Sequence, residues 1–296
     1  MDFIEGKRLV SSYRENEFWF GENFNLNIYK GCSHGCIYCD SRSSCYGVLD
    51  FDTVRAKKDS TRIIEEDLKK KRKKGVVGTG AMSDPYNPYE KKYELTREAL
   101  KLIDKYNFGV GIATKSSLIT RDIDILKKIA CHSEVIVKIT ITTFDDDLSS
   151  SIERSVSKPS ERFKALKELN ENGIYSGILL MPILPFINDT KENILNIVKK
   201  ASECKAKFIY TFGFGVTLRH NQREYYYKAI NDIFGDEIVE KYKKEFGENY
   251  VCNSPKSKEL YEIFKNECEK YGILYKMQDI INDYKGNYEN TQLSLF

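Results

Sequence analysis

The chain has 296 residues, of which 41% are hydrophobic and 31% are charged, and its formal net charge is +3. This length allows one large α/β domain or two small ones, and the composition predicts a buried core. So small a net charge does not by itself indicate a nucleic-acid-binding protein. Charged residues in 1–10 argue against a signal peptide, and no run reaches the ~18 apolar residues of a membrane helix. We therefore expect a cytoplasmic protein.

Short apolar runs typical of strands alternate along the chain with charged runs typical of helices. The predicted strands are 24–30, 75–81, 108–114, 135–143, 175–181 and 207–212. The predicted helices that follow them are 61–74, 96–106, 122–130, 160–172 and 191–204. Six repeats of this kind predict a parallel sheet covered by helices, either an open doubly wound sheet or a partial barrel.

The rhythm changes after Phe214. Two long helices are predicted over 221–246 and 255–271, and the residues 287–296 show no periodicity and read as a tail. We therefore predict an N-terminal extension over 1–23, a core domain over 24–214, and a C-terminal helical cap with its tail over 215–296.

The strand predicted at 135–143 has one polar face. Side chains alternate along a strand, so Lys138, Thr140 and Thr142 share the face opposite its valines and isoleucines. A buried parallel strand is usually apolar on both faces. The polar face is expected to line a cavity, because sites form at the carboxyl ends of such strands. The alternative is an edge strand facing solvent.

Three cysteines, Cys32, Cys36 and Cys39, follow the first predicted strand with the spacing C-x3-C-x2-C. Clustered thiolates favour iron–sulfur clusters, zinc or Cu(I). A [4Fe–4S] cluster normally takes four cysteines, so three would leave one iron open for chemistry. Zinc is the alternative, with His34 or Cys45 as the fourth ligand, although zinc sites usually pair two short ligand motifs.

A dense run of cations occupies 69–74, at the end of the first predicted helix. Cations at a helix C-terminus offset the negative end of the helix dipole, and this is the expected role. Contact with a phosphate backbone is the alternative, but aromatic residues do not interleave with these lysines as in a single-strand platform.

The cysteine motif in this β–α setting resembles the radical S-adenosylmethionine superfamily. Further motifs, in chain order, resemble its spore-photoproduct-lyase-like family: Ser83-Asp84-Pro85-Tyr86, Arg121-Asp122-Ile123-Asp124, Pro182-Ile183-Leu184-Pro185 and Asn188-Asp189. The resemblance covers about 24–214 and, more loosely, the helical tail. It implies a partial (β/α)6 TIM-like barrel of parallel strands with a C-terminal helical cap.

The resemblance also implies a [4Fe–4S] cluster held by Cys32, Cys36 and Cys39, with S-adenosylmethionine on the open iron. Reduction by an external one-electron donor, such as a flavodoxin or ferredoxin, would yield a 5′-deoxyadenosyl radical that abstracts hydrogen from a substrate. The substrate is not identified by the sequence. The first alternative is a nucleic-acid repair or modification enzyme of the same class, and the second is a non-catalytic iron–sulfur or zinc-binding protein.

Several side chains are implied to contact the cosubstrate. Ser83 and Asp84 would accept hydrogen bonds from its ammonium, because both supply oxygen. Lys115 would meet its carboxylate as a point cation. Its adenine and ribose are assigned to aromatic and hydroxyl side chains, namely Tyr38, Thr140 and Thr142.

Each assignment has a plainer alternative. Ser83 and Asp84 could only form a turn, and Lys115 could be solvated. Glu153 and Arg162 are weaker candidates, and Arg162 is expected on a helix surface.

The chain departs from the lyase itself at two places. The lyase has a hydrogen-donating cysteine near the end of its second strand, where this chain has Gly-Ala-Met-Ser at 80–83, and a tyrosine where this chain has Asp40. Reversal of a thymine dimer by that route is therefore not expected. Cys45 is a candidate catalytic substitute, although a buried inert thiol is the first expectation for it.

The other cysteines have no defensible ligand spacing. Cys131 is expected in the core at a helix end. An auxiliary cluster from Cys45, Cys204, Cys252 and Cys268 is not expected, since single buried cysteines are common.

Overall fold

Six parallel strands lie side by side in one sheet, with a seventh, antiparallel strand at its edge. The computed structural model describes residues 1–13 and 19–292, of which 287–292 by backbone alone. In chain order the strands are β1 Asp2–Ile4, β2 Val10–Ser12, β3 Phe24–Leu26, β4 Tyr29–Lys30, β5 Arg55–Lys57, β6 Val76–Thr79, β7 Gly109–Thr114, β8 Val135–Thr140, β9 Ser176–Leu179, β10 Ile209–Tyr210, β11 Gly215–Thr217 and β12 Val251–Asn253.

The large sheet has the order β10-β9-β8-β7-β6-β3-β2, and only the β2–β3 pair is antiparallel. Parallel neighbours need a crossover, and the helices between the strands supply it. The fold is therefore the expected partial (β/α)6 TIM-like barrel. The strand expected over 24–30 is split, because β4 leaves this sheet and pairs with β5, which in turn pairs with β1.

The helices are α1 Ser60–Lys69, α2 Glu90–Tyr93, α3 Leu95–Lys105, α4 Ile123–Ala130, α5 Asp146–Ile152, α6 Pro159–Glu171, α7 Lys191–Glu203, α8 Gln222–Phe234, α9 Asp236–Phe246, α10 Ser257–Tyr271 and α11 Met277–Gln292. Those outside the barrel bury one apolar stripe each, as Ile125, Leu126 and Ile129 do in α4. This stripe packs on the outer face of the sheet and shares the main hydrophobic core with Val135 and Val137 of β8. No helix among the described residues is both long and apolar enough to cross a bilayer.

The helices after β11 differ from the prediction in two respects. The single helix expected over 221–246 is two helices, because Gly235 has φ +87°, a backbone conformation that favours glycine. The unpatterned tail expected over 287–296 is wrong for 287–292, which belong to α11; 293–296 lie outside the described residues. The helix is held upstream, where Ile280 and Tyr284 are buried.

We call the region around Glu22 and Lys138 of β8 the barrel floor. Lys138 is fully buried and forms an ion pair with Glu22. The Glu22 carboxylate lies where a Cβ would stand at Gly78 or Gly111, two glycines paired across β6 and β7. The alternative of an edge strand at 135–143 is wrong, because β7 and β9 flank β8.

Candidate active site at the cysteine loop

The cysteine loop, residues 31–54, connects β4 to β5. Gly31 begins it with φ +80°, and a Cβ there would contact the carbonyl oxygens of Phe51 and Thr53. The backbone N–H of Cys32 donates to the same Phe51 carbonyl at 2.8 Å. Only glycine fits this close approach of two chain segments. Gly31 therefore helps to position the neighbouring Cys32.

Cys32 and Cys36 are buried, whereas Cys39 is partly exposed. Burial, helped by the charge of Asp84, raises the pKa of the Cys32 thiol to about 11, against hydrogen bonds from the backbone N–H groups of Asp84 and His34. Burial likewise raises the pKa of Cys36. In the metal-free chain these thiols are therefore protonated, and a metal would have to displace their protons.

Asp84 connects the cysteine loop to the ends of β6 and β7. Its carboxylate accepts hydrogen bonds from the Thr114 hydroxyl at 2.7 Å and from the backbone N–H of Lys115 at 2.8 Å. The His34 Nδ1 atom lies 3.5 Å from Oδ2 of Asp84, the oxygen that accepts from Lys115. The neighbouring Ser83 hydroxyl donates to the carbonyl of Gly31. The structure thus brings Ser83, Asp84 and Lys115 together beside the loop.

His34 is a residue whose role here the sequence did not reveal. It is buried, and burial lowers its pKa, so it is neutral near pH 7. Its partner is Asp84. Among the side chains described, no three His, Cys, Asp or Glu groups are arranged around one metal-ion position.

Tyr38 lies between Cys36 and Cys39 in the sequence, and its side chain contacts Lys115 and Glu153. The Lys115 ammonium lies 5.7 Å from the centre of the Tyr38 ring, within the range of a cation–π contact. The charge of Lys115 also opposes the rise in the pKa of Cys36. Lys115 therefore faces the cysteine loop.

The Tyr38 hydroxyl donates to Glu153, a residue 115 positions later. Glu153 also accepts from Arg162, with Nη2 and Oε2 2.5 Å apart, and both charged side chains are fully buried. Burial raises the pKa of Glu153, and Arg162 opposes this rise. The expectation that Arg162 lies on a helix surface is wrong, because α6 turns it toward the sheet.

Thr140 and Thr142 lie at the carboxyl end of β8. The Thr140 carbonyl accepts from Arg162 Nη1 at 2.9 Å, which links this strand end to the Tyr38 side of the site. The Thr142 carbonyl accepts from Asn188 and Asn193, whereas its buried hydroxyl oxygen has no hydrogen-bond partner in the described part of the chain.

The remaining cysteines lie outside the cysteine motif. Cys45 and Cys131 are exposed, so the expectations that they are buried are wrong. Cys45 lies on a short turn at the surface, and Cys131 follows the end of α4. Cys204, Cys252 and Cys268 are buried, the first and last in the main core and Cys252 in a second apolar cluster, and the described side chains offer no grouping of them for a metal.

The polypeptide after β11 covers the outer side of the loop. Arg219 forms an ion pair with Asp40, next to Cys39, at 3.0 Å. The Gln222 amide donates to the Tyr38 carbonyl at 3.3 Å. The loop is thus held from both sides, by strand ends and by the start of α8.

A fold with six parallel strands and a three-cysteine loop at their carboxyl edge defines a recognisable class. A family model described as the Radical SAM superfamily matches residues 26–201, and the chain belongs to this superfamily.

Several curated proteins are similar in sequence. The uncharacterized protein MJ0683 of Methanocaldococcus jannaschii is 36% identical over 179 residues, which are 58% of this chain and 64% of that protein. The uncharacterized protein ORF301 of Acidianus two-tailed virus is 28% identical over 196 residues, 62% of this chain and 64% of that protein. The chain thus matches less than two thirds of the length of these relatives.

Solved structures share the fold. A mutant of spore photoproduct lyase has a TM-score of 0.68 at 12% identity, covering 92% of this chain and 80% of that one. The same enzyme with a dinucleoside spore photoproduct has a TM-score of 0.65 at 13% identity and the same coverage. The methyltransferase TsrM from Kitasatospora setae has 0.51 at 13% identity, covering 74% and 39%.

Proposed function

We propose that this chain is a radical S-adenosylmethionine enzyme that holds a [4Fe–4S] cluster on Cys32, Cys36 and Cys39. The observation that carries the proposal is the setting of the three cysteines. They lie on one loop at the carboxyl edge of the barrel and are fixed by residues from two strand ends. Ligands of open parallel sheets bind at this edge.

The residues present fit the cofactor. Three thiols on one loop are a donor set typical of iron–sulfur clusters. The backbone N–H groups of His34 and Asp84, directed at Cys32, would stabilise a thiolate there. When bound, the cluster supplies the electron that cleaves S-adenosylmethionine to a 5′-deoxyadenosyl radical, which abstracts hydrogen from the substrate.

The chain's own residues would bind and orient the cosubstrate. Lys115, which faces Tyr38 and Cys36, is proposed to meet the methionine carboxylate, with Ser83 and Asp84 near the ammonium. The carboxylate of Asp84 already accepts three hydrogen bonds, from Thr114, Lys115 and Tyr86, which would hold it in place for that contact.

Hydroxyl and aromatic groups are proposed for the nucleoside. Thr142 supports this, because its buried hydroxyl oxygen has no partner among the described residues, and a ribose would provide one. Thr140 lies two residues earlier along the chain, on the same face as Thr142. Tyr38 would pack near the adenine.

The structural neighbour binds a dinucleoside, but this chain has no thiol at 80–83 and has Asp40 after the last cluster cysteine. We therefore propose a reaction other than reversal of a thymine dimer. The cationic run 69–74 precedes β6, at the edge of the sheet opposite the cysteine loop, and Lys71 and Lys74 lie over the Phe24 and Phe108 rings. It does not favour a nucleic-acid substrate.

The test is anaerobic reconstitution with iron and sulfide, followed by reduction and addition of S-adenosylmethionine. The wild-type chain should bind iron and release 5′-deoxyadenosine, whereas Cys36→Ala should lose the nucleoside entirely. Cys131→Ala, which removes an exposed cysteine after α4, is the matched control and should behave as wild type. Equal nucleoside from wild type and Cys36→Ala, or zinc in place of iron and sulfide, would contradict the proposal.

Two further proposals complete the function. The electron donor is proposed to be a small one-electron carrier such as a flavodoxin or ferredoxin. The division of the chain into a core over 24–214 and a helical cap over 215–296 also stays a prediction, which expression of the two parts would test.

A further inference from the structure

Glu153 holds the middle of the cysteine loop by both main chain and side chain. Its backbone forms a β-bridge with Cys36, and the N–H of Ile37 donates to the carbonyl of Ile152 at 3.0 Å. The hydroxyl of Tyr38 donates to its carboxylate. Three consecutive loop residues, Cys36 to Tyr38, are therefore tied to one short segment at the end of α5.

Arg162 fixes Glu153 in turn, and all three of its guanidinium nitrogens are bonded. Nε donates to the carbonyl of Ser157 at 2.6 Å, Nη1 to the carbonyl of Thr140 at 2.9 Å, and Nη2 to Glu153 at 2.5 Å. The side chain is fully buried. The hydrogen bonds of Arg162 and Glu153 are thus made to other groups of the protein. Together the two residues link the end of β8 to the cysteine loop.

The outer end of this chain of contacts is the ring of Tyr38, which carries Lys115 at 5.7 Å. A change in the position of Tyr38 would shift both the loop between Cys36 and Cys39 and the neighbour of the Lys115 ammonium.

We propose that Glu153 and Arg162 are positioning residues: they hold Tyr38 in place and thereby set the spacing of Cys36 and Cys39. They act through Tyr38 and contact no cosubstrate. The effect on the cluster rests on the proposed function, whereas the effect on the loop belongs to the metal-free chain.

The test measures how fast each cysteine of the metal-free, full-length chain reacts with iodoacetamide, peptide by peptide, by mass spectrometry. In Tyr38→Phe and in Glu153→Gln, Cys36 and Cys39 should react about tenfold faster, because each variant removes or weakens a hydrogen bond to a charged group that restrains local opening. Cys204 and Cys268, buried in other parts of the core, should react at their wild-type rates.

The double variant Tyr38→Phe/Glu153→Gln should be less than additive, because the two groups belong to one contact. Tyr242→Phe is the matched control. It removes another buried hydroxyl, bonded to the Pro185 carbonyl at 2.8 Å, from the apolar cluster that also contains Tyr38. Its Cys36 and Cys39 should react as in wild type.

Equal acceleration of all four cysteines would show that Glu153 acts on global stability alone, and unchanged rates would show that it does not restrain the loop. Either result overturns the proposal. If Glu153→Gln does not fold, Tyr38→Phe decides by itself.

A second readout is the rate at which reconstituted protein loses iron to a chelator, which should rise in the two variants and stay unchanged in Tyr242→Phe. If the wild-type chain takes up no iron, the proposed function fails, while the cysteine reactivities still decide whether Glu153 positions the loop.

Discussion

Two ion pairs among the described residues are buried in the barrel, and they differ in how many hydrogen bonds their cations donate. On the barrel floor, Lys138 has Glu22 as its hydrogen-bond partner among the described residues and lies 5.0 Å from the Phe20 ring. At the cysteine loop, Arg162 bonds to Glu153 and to two backbone carbonyls as well. Both pairs are as buried as the apolar core.

This difference teaches that burial of a charge does not by itself mark a functional group. Removing two charges from water costs free energy that their attraction offsets only with good geometry and further hydrogen bonds. The floor pair closes the barrel and contacts Gly78 and Gly111. The pair of Glu153 and Arg162 contacts the cysteine loop and the end of β8. Its loss should therefore change the geometry of the site as well as the free energy of unfolding.

The largest expected effect on stability comes from breaking the floor pair. Glu22→Ala should lower the free energy of unfolding by about 3–5 kcal/mol, because it leaves Lys138 buried without a counter-charge. The measurement is equilibrium denaturation of the metal-free chain. Release of 5′-deoxyadenosine, counted per folded molecule, should stay at the wild-type level, and its loss would contradict the separation of the two regions.

A control removes both charges together. Glu22→Leu/Lys138→Met should recover most of the stability lost in Glu22→Ala, because an apolar pair of similar volume is often as stable as a buried ion pair. A double variant no more stable than the single one would mean that the floor depends on charge rather than on packing.

A smaller effect should follow from filling the space beside Glu22. In Gly111→Ala the new Cβ would collide with the Glu22 carboxylate, and overpacking of this kind costs about 1–3 kcal/mol. The midpoint of thermal unfolding should fall. In the background Glu22→Leu/Lys138→Met, Gly111→Ala should change the free energy of unfolding by a different amount than in the wild type. An identical change would show that the glycine is needed for a reason other than the Glu22 carboxylate.

The smallest effect is expected on the outer side of the cysteine loop. Cys45→Ser exchanges an exposed thiol for a hydroxyl and should change stability by less than about 0.5 kcal/mol. The yield of 5′-deoxyadenosine should equal that of the wild type. A clear loss would restore Cys45 as a catalytic residue and would extend the functional region to the surface of the loop.

The β–α alternation was enough to predict a parallel sheet covered by helices, because each strand and helix carries its own periodicity, whereas the partial barrel was implied by the family resemblance. The strands at 108–114 and 135–143 and the helices at 122–130 and 160–172 correspond closely to β7, β8, α4 and α6. The breaks were harder to predict. Gly235 ends α8 through its backbone conformation, and nothing in the flanking helical pattern requires a break at that glycine.

The site was predictable only where its residues are close in the sequence. The spacing of Cys32, Cys36 and Cys39 is visible in a stretch of eight residues and predicts a cluster site. Lys115 could be found because it follows the end of a predicted strand. The contact between Tyr38 and Glu153 joins residues 115 positions apart and depends on where α5 ends relative to the loop. No local pattern carries that information, and for the same reason Arg162 looked like an ordinary cation on the surface of α6.

The floor of the barrel also sets an order of events in folding. The Tyr284 hydroxyl of α11 donates to the carbonyl of Phe20 at 2.5 Å, and Lys285 donates to the carbonyl of Gly21 at 2.7 Å, across 264 positions of sequence in each case. On the ribosome, all the strands of the barrel emerge before α11 does. A nascent chain that has already formed its sheet therefore still lacks the two hydrogen bonds that α11 donates to the carbonyls of Phe20 and Gly21.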